Sequence, residues 1–258
     1  MTSSLTDSRR IVLITGASSG LGAGMAREFA ARGYDLALCA RRLEPMEELR
    51  AELQARHPDI RTELACLDVT DFTEVHRAFG DFHSRFGRLD KVVVNAGIGS
   101  GVPIGKGGMD ANIKVIETNF TAALAQSEAA MEIFRAANRG HLVFISSMSA
   151  MRGLRGMMTS YSASKAGVAT LAEGLHVEVR RKKGIDVTTI FPGYIATEIN
   201  ANVAKSRTPF IIDAKKGCRL MVEAIERRPV KAYVPWWPWA PLGWIMRNAP
   251  LWLVTKLT

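Results

Sequence analysis

The sequence has few cysteines, few long apolar runs and no aromatic richness outside its last stretch, and each shortage excludes something. Its three cysteines, Cys39, Cys66 and Cys218, have no metal-like spacing, so no metal site is expected and no disulfide framework can be built. Cys39 and Cys66 lie in strand-like runs and read as buried structural thiols. The longest uncharged run of the C-terminal stretch, Ala232–Met246, has fifteen residues and three prolines, too short and too broken to span a bilayer. Thr2–Arg10 is polar, with no apolar run ahead of a cleavage site, so no signal peptide is read and a reducing cytoplasm is the expected location. The net charge is +9, yet no nucleic-acid-binding motif accompanies it. The run Arg180-Arg-Lys-Lys183 reads as a solvated helix end, where cations suit the helix dipole. No internal repeat or low-complexity linker is visible.

What is present is a chain of 258 residues with 47% apolar content, enough for one sizeable α/β core. Strand-like runs fall at 11–14, 35–40, 62–67, 91–94, 141–146, 185–191 and 230–234. Helical patterns fill 21–32, 43–56, 71–86, 110–137, 159–182 and 213–228. This alternation predicts a Rossmann-like, doubly wound parallel sheet with helices on both faces, in a single domain over 1–235 followed by a Trp/Pro-rich tail over 236–258. Ligands of such sheets bind beyond the carboxyl ends of the strands.

Two motifs lie at such ends. The apolar run Ile11–Ile14 leads into Gly16, Gly20 and Gly22, where glycines permit a tight turn and close approach of a pyrophosphate to a helix N-terminus. The spacing is G-x-x-x-G-x-G rather than G-x-G-x-x-G. Tyr161-Ser-Ala-Ser-Lys165 puts a phenol and an ammonium on one helix face. A free Tyr titrates near pH 10, and a neighbouring cation favours the phenolate, which fits Tyr161 for proton transfer near neutrality.

Thr15-Gly-Ala-Ser-Ser-Gly-Leu-Gly22, Asn95-Ala-Gly97, Tyr161-x-x-x-Lys165 and Pro192-Gly193 together resemble the short-chain dehydrogenase/reductase family, in its order and spacing, over roughly residues 10–235. The resemblance implies an oxidoreductase that moves a hydride between a nicotinamide and an alcohol or carbonyl carbon. Gly16, Ser18, Ser19, Gly20, Leu21 and Gly22 would hold the cofactor's pyrophosphate side, Asp68 and Val69 its adenine, and Asn95, Ala96 and Gly97 its ribose, with Asn95 also steadying the sheet. Pro192, Gly193, Ile195 and Thr197 would meet the nicotinamide. At the second strand end the carboxylate expected of an NAD site is replaced by Ala40, and Arg41 and Arg42 follow. A guanidinium there suits a 2′-phosphate, so NADP(H) is the expected cofactor.

By the same resemblance Tyr161 exchanges the proton, Lys165 lowers its pKa and binds ribose, and Asn119 serves a proton relay. The family's serine usually lies 13 residues before the Tyr, which here is Met148. Ser147 fits best with a loop longer by one residue, while Ser146 and Ser149 stay open. A degenerate, non-catalytic cofactor-binding scaffold on this fold is the alternative, but all four side-chain types are present. Helices 110–137 and 159–182, with Ala163, Ala166, Gly167 and Gly174, match the family's dimerisation helices, so a homodimer or homotetramer is expected.

The substrate would lie between Ile98–Gly108, Met148–Ser160 and Tyr194–Phe210. The first is glycine-rich and expected to be mobile, the second carries Met148, Met151, Met157 and Met158, and the third is polar and lid-like. A methionine wall suits a bulky apolar substrate, or it fills core gaps. All five tryptophans, Trp236, Trp237, Trp239, Trp244 and Trp252, fall in the tail, within residues 233–258, a stretch that also holds four prolines. The tail either packs on a neighbouring subunit or over the pocket mouth, or it lies peripherally in a membrane interface.

Overall fold

The computed structural model describes residues 9–99, 101–180, 184–197 and 210–253. The basic positions 181–183, most of the third substrate segment (198–209) and positions 254–258 lie outside them. Seven strands are formed: β1 (Ile11–Thr15), β2 (Asp35–Ala40), β3 (Thr62–Cys66), β4 (Lys91–Val94), β5 (Gly140–Ile145), β6 (Ile185–Pro192) and β7 (Lys231–Val234). They make one sheet in the order β3-β2-β1-β4-β5-β6-β7, and every neighbouring pair is parallel. The order reverses between β1 and β4, so a crevice opens at their carboxyl ends.

Successive strand residues face opposite sides of the sheet, and both sides are apolar. Ile11 and Leu13 face one core with Val75, Phe79 and Phe82 of α3 (Phe72–Phe86), Phe134 of α5 (Ala122–Ala137) and Val168 of α6 (Thr159–Val179). Val12 and Ile14 face the other, with Met25 and Phe29 of α1 (Gly20–Ala30), Leu49 of α2 (Glu44–Arg56) and Ile225 of α7 (Ala214–Arg227). Each such buried side chain contributes about 1.5–3 kcal/mol.

The expected single helix over 110–137 is instead α4 (Met109–Ile116), a π-helical turn (Glu117–Thr121) and α5. Within the turn, the Ala122 N–H reaches back five residues to the Glu117 carbonyl. The tail also departs from expectation. Trp236–Asn248 forms a further helix, α8, kinked at Trp237 (φ −99°, ψ 133°). Pro238 opens the regular part, a position where its missing N–H costs nothing.

The amino ends of the strands carry buried polar groups. Lys91 is 1% exposed, and its ammonium lies 3.3 Å from Glu226 of α7, which also accepts a 2.8 Å hydrogen bond from the Tyr34 hydroxyl. His141, paired with Lys91 across β4 and β5, shares a 2.9 Å hydrogen bond with Thr188. Burial pulls His141 down to about 3.

Candidate active site

Gly16 and Gly20 have left-handed backbones (φ +66° and +55°) that favour glycine. A Cβ on Gly22 would stand 2.2 Å from the Gly16 carbonyl oxygen, so the turn closes only without a side chain there. Ser19 precedes α1 without capping it through its side chain, and the first turn of α1 has no acidic residue. The turn therefore presents amide donors to an anion. Thr15 ties it to β4: its hydroxyl accepts the Asn95 and Ala96 N–H groups, each at 3.0 Å. The Asn95 amide returns a 2.8 Å bond to the Thr15 carbonyl, so Asn95 steadies the sheet as expected.

These elements border a cleft of about 520 Å³. It brings together Gly16, Ser18, Ser19, Gly20, Leu21, Gly22, Arg41, Arg42, Asp68, Val69, Asn95, Ala96, Gly97, Tyr161, Lys165 and Thr197, residues named above from widely separated parts of the chain. Asn119, Ser147, Pro192, Gly193 and Ile195 are not among its lining residues. Gly193 lies under the Trp239 indole, and Ile195 is 2% exposed against Gly217 of α7. At one end the Arg42 guanidinium is 3.4 Å from the Ser18 hydroxyl. Asp68 is held below the usual carboxylate range. Burial works to raise it, but two hydrogen bonds from Thr70 and the charges of Arg41 and Lys114 outweigh that. Ala40, Leu67, Ile98, Thr118, Ile145 and Ser146 also line the cleft. Each lies beside a motif residue, at a strand end or in the π turn, and that adjacency was the available signal.

At the other end lies the proton-transfer set. Ser147, buried after β5, caps the short helical turn Met148–Met151, its hydroxyl accepting the Ser149 N–H at 3.1 Å. The same hydroxyl faces the Tyr161 phenol and acts to lower its pKa. Ser146 is committed elsewhere, donating to the Lys165 carbonyl at 2.8 Å. Burial pushes the Tyr161 phenol above its usual value, partly offset by Ser147. Lys165 is not among the groups that shift it. The Lys165 ammonium instead donates to the Ile145 carbonyl at 3.0 Å, and burial lowers it to about 8.

Asn119 sits in the π turn, a feature frequent at functional sites. Its side chain accepts the Ile98 N–H at 2.8 Å and donates to the Ile98 carbonyl at 3.0 Å and to Ser164 at 3.2 Å. Asn119 and Lys165 converge over Gly97, where a Cβ would meet them at 3.0 and 3.3 Å. The glycine-rich segment after β4 is not wholly loose. Asn112, unremarked in the sequence, holds Val102 through bonds of 3.1 and 2.9 Å and takes the Ser160 hydroxyl at 2.8 Å.

Beside this set, Met148, Met151, Phe191 and Trp239 form a third apolar cluster, with Tyr194, Tyr233, Leu242 and Met246 packed against it. The Trp239 indole N–H is buried without a hydrogen-bond partner among the described residues. No cluster of His, Cys, Asp or Glu among the described residues would hold a metal ion.

A glycine turn at a helix start, a crevice at the strand reversal and a buried Tyr–Lys pair define a nucleotide-binding α/β protein of the doubly wound kind. A family model described as short chain dehydrogenase matches residues 10–208, and the chain belongs to that family of oxidoreductases. It is 50% identical over 242 residues, 94% of either chain, to an uncharacterized oxidoreductase of Mycobacterium tuberculosis. Levodione reductase superposes with a TM-score of 0.78 at 29% identity, covering 87% of this chain and 94% of that one. The bulky-bulky ketone specific alcohol dehydrogenase from Comamonas testosteroni gives a TM-score of 0.75 at 27% identity, over 87% and 85% of the two chains. The family fold binds nicotinamide cofactors, and the cleft fits one: its glycines leave room where a Cβ would close the turn.

Proposed function

We propose that this chain is an NADP(H)-dependent alcohol dehydrogenase or carbonyl reductase acting on an apolar substrate. The observation that carries the reading is one cleft lined by the glycine turn, Arg41 and Arg42 and also by Tyr161 and Lys165, with the Ser147 hydroxyl acting on the Tyr161 phenol. A bound nicotinamide supplies or takes up the hydride. Arg41, Arg42 and Ser18 would hold the 2′-phosphate, the glycine turn the pyrophosphate, and Lys165 and Thr197 the nicotinamide end. Ser147 orients the substrate oxygen and shares its developing charge. Tyr161 gives that oxygen a proton in reduction and removes one in oxidation. Asn119 fixes the Ile98 backbone beside Lys165, so its part in a relay runs through that positioning.

Burial keeps the phenol protonated at neutral pH, which favours carbonyl reduction; alcohol oxidation should accelerate as pH rises toward the phenol's raised pKa. The cluster of Met148, Met151, Phe191 and Trp239 beside Ser147 supports an apolar substrate, and the likeness to a bulky-ketone enzyme points the same way. Small residues on α6 support a homodimer or homotetramer through α5 and α6.

A panel of ketones and alcohols with both cofactors, read for the parent and Tyr161→Phe, tests the reading. The variant should bind NADPH normally and turn over at least about a hundredfold more slowly. Turnover within threefold of the parent would remove Tyr161 from the chemistry.

A further inference from the structure

The kinked helix α8 has two unlike faces. Trp239, Leu242, Gly243 and Met246, at helical spacing, turn inward against Met148, Met151 and Tyr233. The outer face keeps Trp236, Trp237 and Trp244 at 68%, 69% and 69% exposure, with Leu251 at 59% beyond the helix end. Trp237, Trp244 and Leu251 recur every seven residues. One tryptophan of the four in the helix thus fills the fold, and three stand in solvent, more than a soluble surface ordinarily leaves exposed.

The charges around this face have one sign. After Glu226 the sequence has no acidic residue through Thr258 but has Arg227, Arg228, Lys231, Arg247 and Lys256. Met148–Ala172, whose first turn packs under α8, also lacks Asp and Glu and carries Arg152 and Arg155. Arg152 reaches the Arg247 carbonyl at 3.3 Å, which sets its guanidinium beside the end of α8. The carboxylate that feels Arg247, Glu173, is already bound to Lys231 at 2.8 Å. A second copy docking through the same face would bring these cations together without a carboxylate between them. A layer of anionic headgroups over hydrocarbon complements both features, because indole rings settle at that depth and cations at its rim. No helix among the described residues is long and apolar enough to cross a membrane, which leaves docking in the plane of the surface.

We infer that the outer face of α8, through Trp237 and Trp244 with a rim of Arg152 and Arg247, is a docking surface for an anionic lipid membrane. The inference rests on α8 and its charges and is independent of the proposed reaction. Sedimentation of the full chain tests it, with vesicles of phosphatidylcholine alone or mixed with phosphatidylglycerol, at low and high salt. The chain should pellet with the mixed vesicles at low salt and be released as salt rises. Arg247→Glu should weaken partition by at least about fivefold, the value of one cation near such a surface. Trp237→Ser with Trp244→Ser should abolish partition while leaving NADPH binding and thermal unfolding unchanged, since both side chains are exposed. A parent that stays in the supernatant with mixed vesicles at low salt overturns the inference, as does undiminished binding by the double variant. A double variant of lower assembly mass, from a parent that ignores vesicles, would assign the face to a second copy instead.

Discussion

Removing the Arg41 guanidinium should separate the two nicotinamide cofactors. Arg41 lines the cleft just beyond β2, where the strand ends in Ala40 rather than a carboxylate. Arg42 bridges across to Ser18 at 3.4 Å, so the 2′-phosphate would sit among two guanidiniums and a hydroxyl. A hydrogen bond to a charged partner is worth about 1.5–3 kcal/mol. Both arginines are exposed on the rim, and solvent screening places the loss near the lower figure. At 1.4 kcal/mol per decade, Arg41→Ala should raise the Kd of NADPH about tenfold and leave that of NADH within about threefold. Calorimetric titration with each cofactor, at two ionic strengths, checks this. The NADPH penalty should shrink as salt is added, because salt already weakens the parent's contact. Equal losses for both cofactors, or a parent that binds NADH more tightly, would refute the assignment.

Other outcomes follow from geometry already described. Ser147→Ala should lower turnover strongly while Ser149→Ala changes it little, because Ser147 is the serine whose hydroxyl acts on the Tyr161 phenol; single-turnover rates would expose a reversed ranking. Gly22→Ala would put a Cβ 2.2 Å from the Gly16 carbonyl oxygen, so NADPH should no longer raise the thermal midpoint. A normal ligand-induced shift would contradict the closed-turn account. Burial depresses His141 to about 3 from an ordinary 6.5, so its stabilising effect is complete above pH 6.5 and declines as pH falls toward 3. By linkage this costs about 2 kcal/mol at pH 5. Urea midpoints at pH 7 and pH 5 should converge in His141→Gln relative to the parent; a parent with no acid sensitivity in that window would count against it.

The fold was legible in sequence because strands such as Ile11–Thr15 and Lys91–Val94 are short, largely apolar runs, and tertiary packing agrees with that local pattern. The cleft was legible because glycine turns and strand ends must meet where the sheet order reverses. Three features were not. The π turn leaves no mark in the apolar pattern, so the family resemblance named Asn119 while its clamp on Ile98 stayed hidden. The four tail prolines read as breakers, although Trp239, Leu242, Gly243 and Met246 already carried the spacing of a buried helix face. The pKa relation of Lys165 and Tyr161 depends on where the ammonium points, and the Ile145 carbonyl that captures it has no sequence signature.

The π turn at Glu117–Thr121 has a consequence for how this site tolerates change in chain length. A wide turn of this kind is an α-helix that has absorbed one surplus residue as a local bulge. Loss of one residue between Glu117 and Thr121 would let the backbone close into ordinary helix, with α4 and α5 keeping their faces on the core. The same loss anywhere else in α5 would turn everything beyond it by about 100°, carrying Phe134 off the sheet. Asn119 therefore occupies a place that can be gained or erased without rebuilding its surroundings. The grip on Ile98 beside Gly97 thus hangs on a local bulge rather than on the length of α4 or α5.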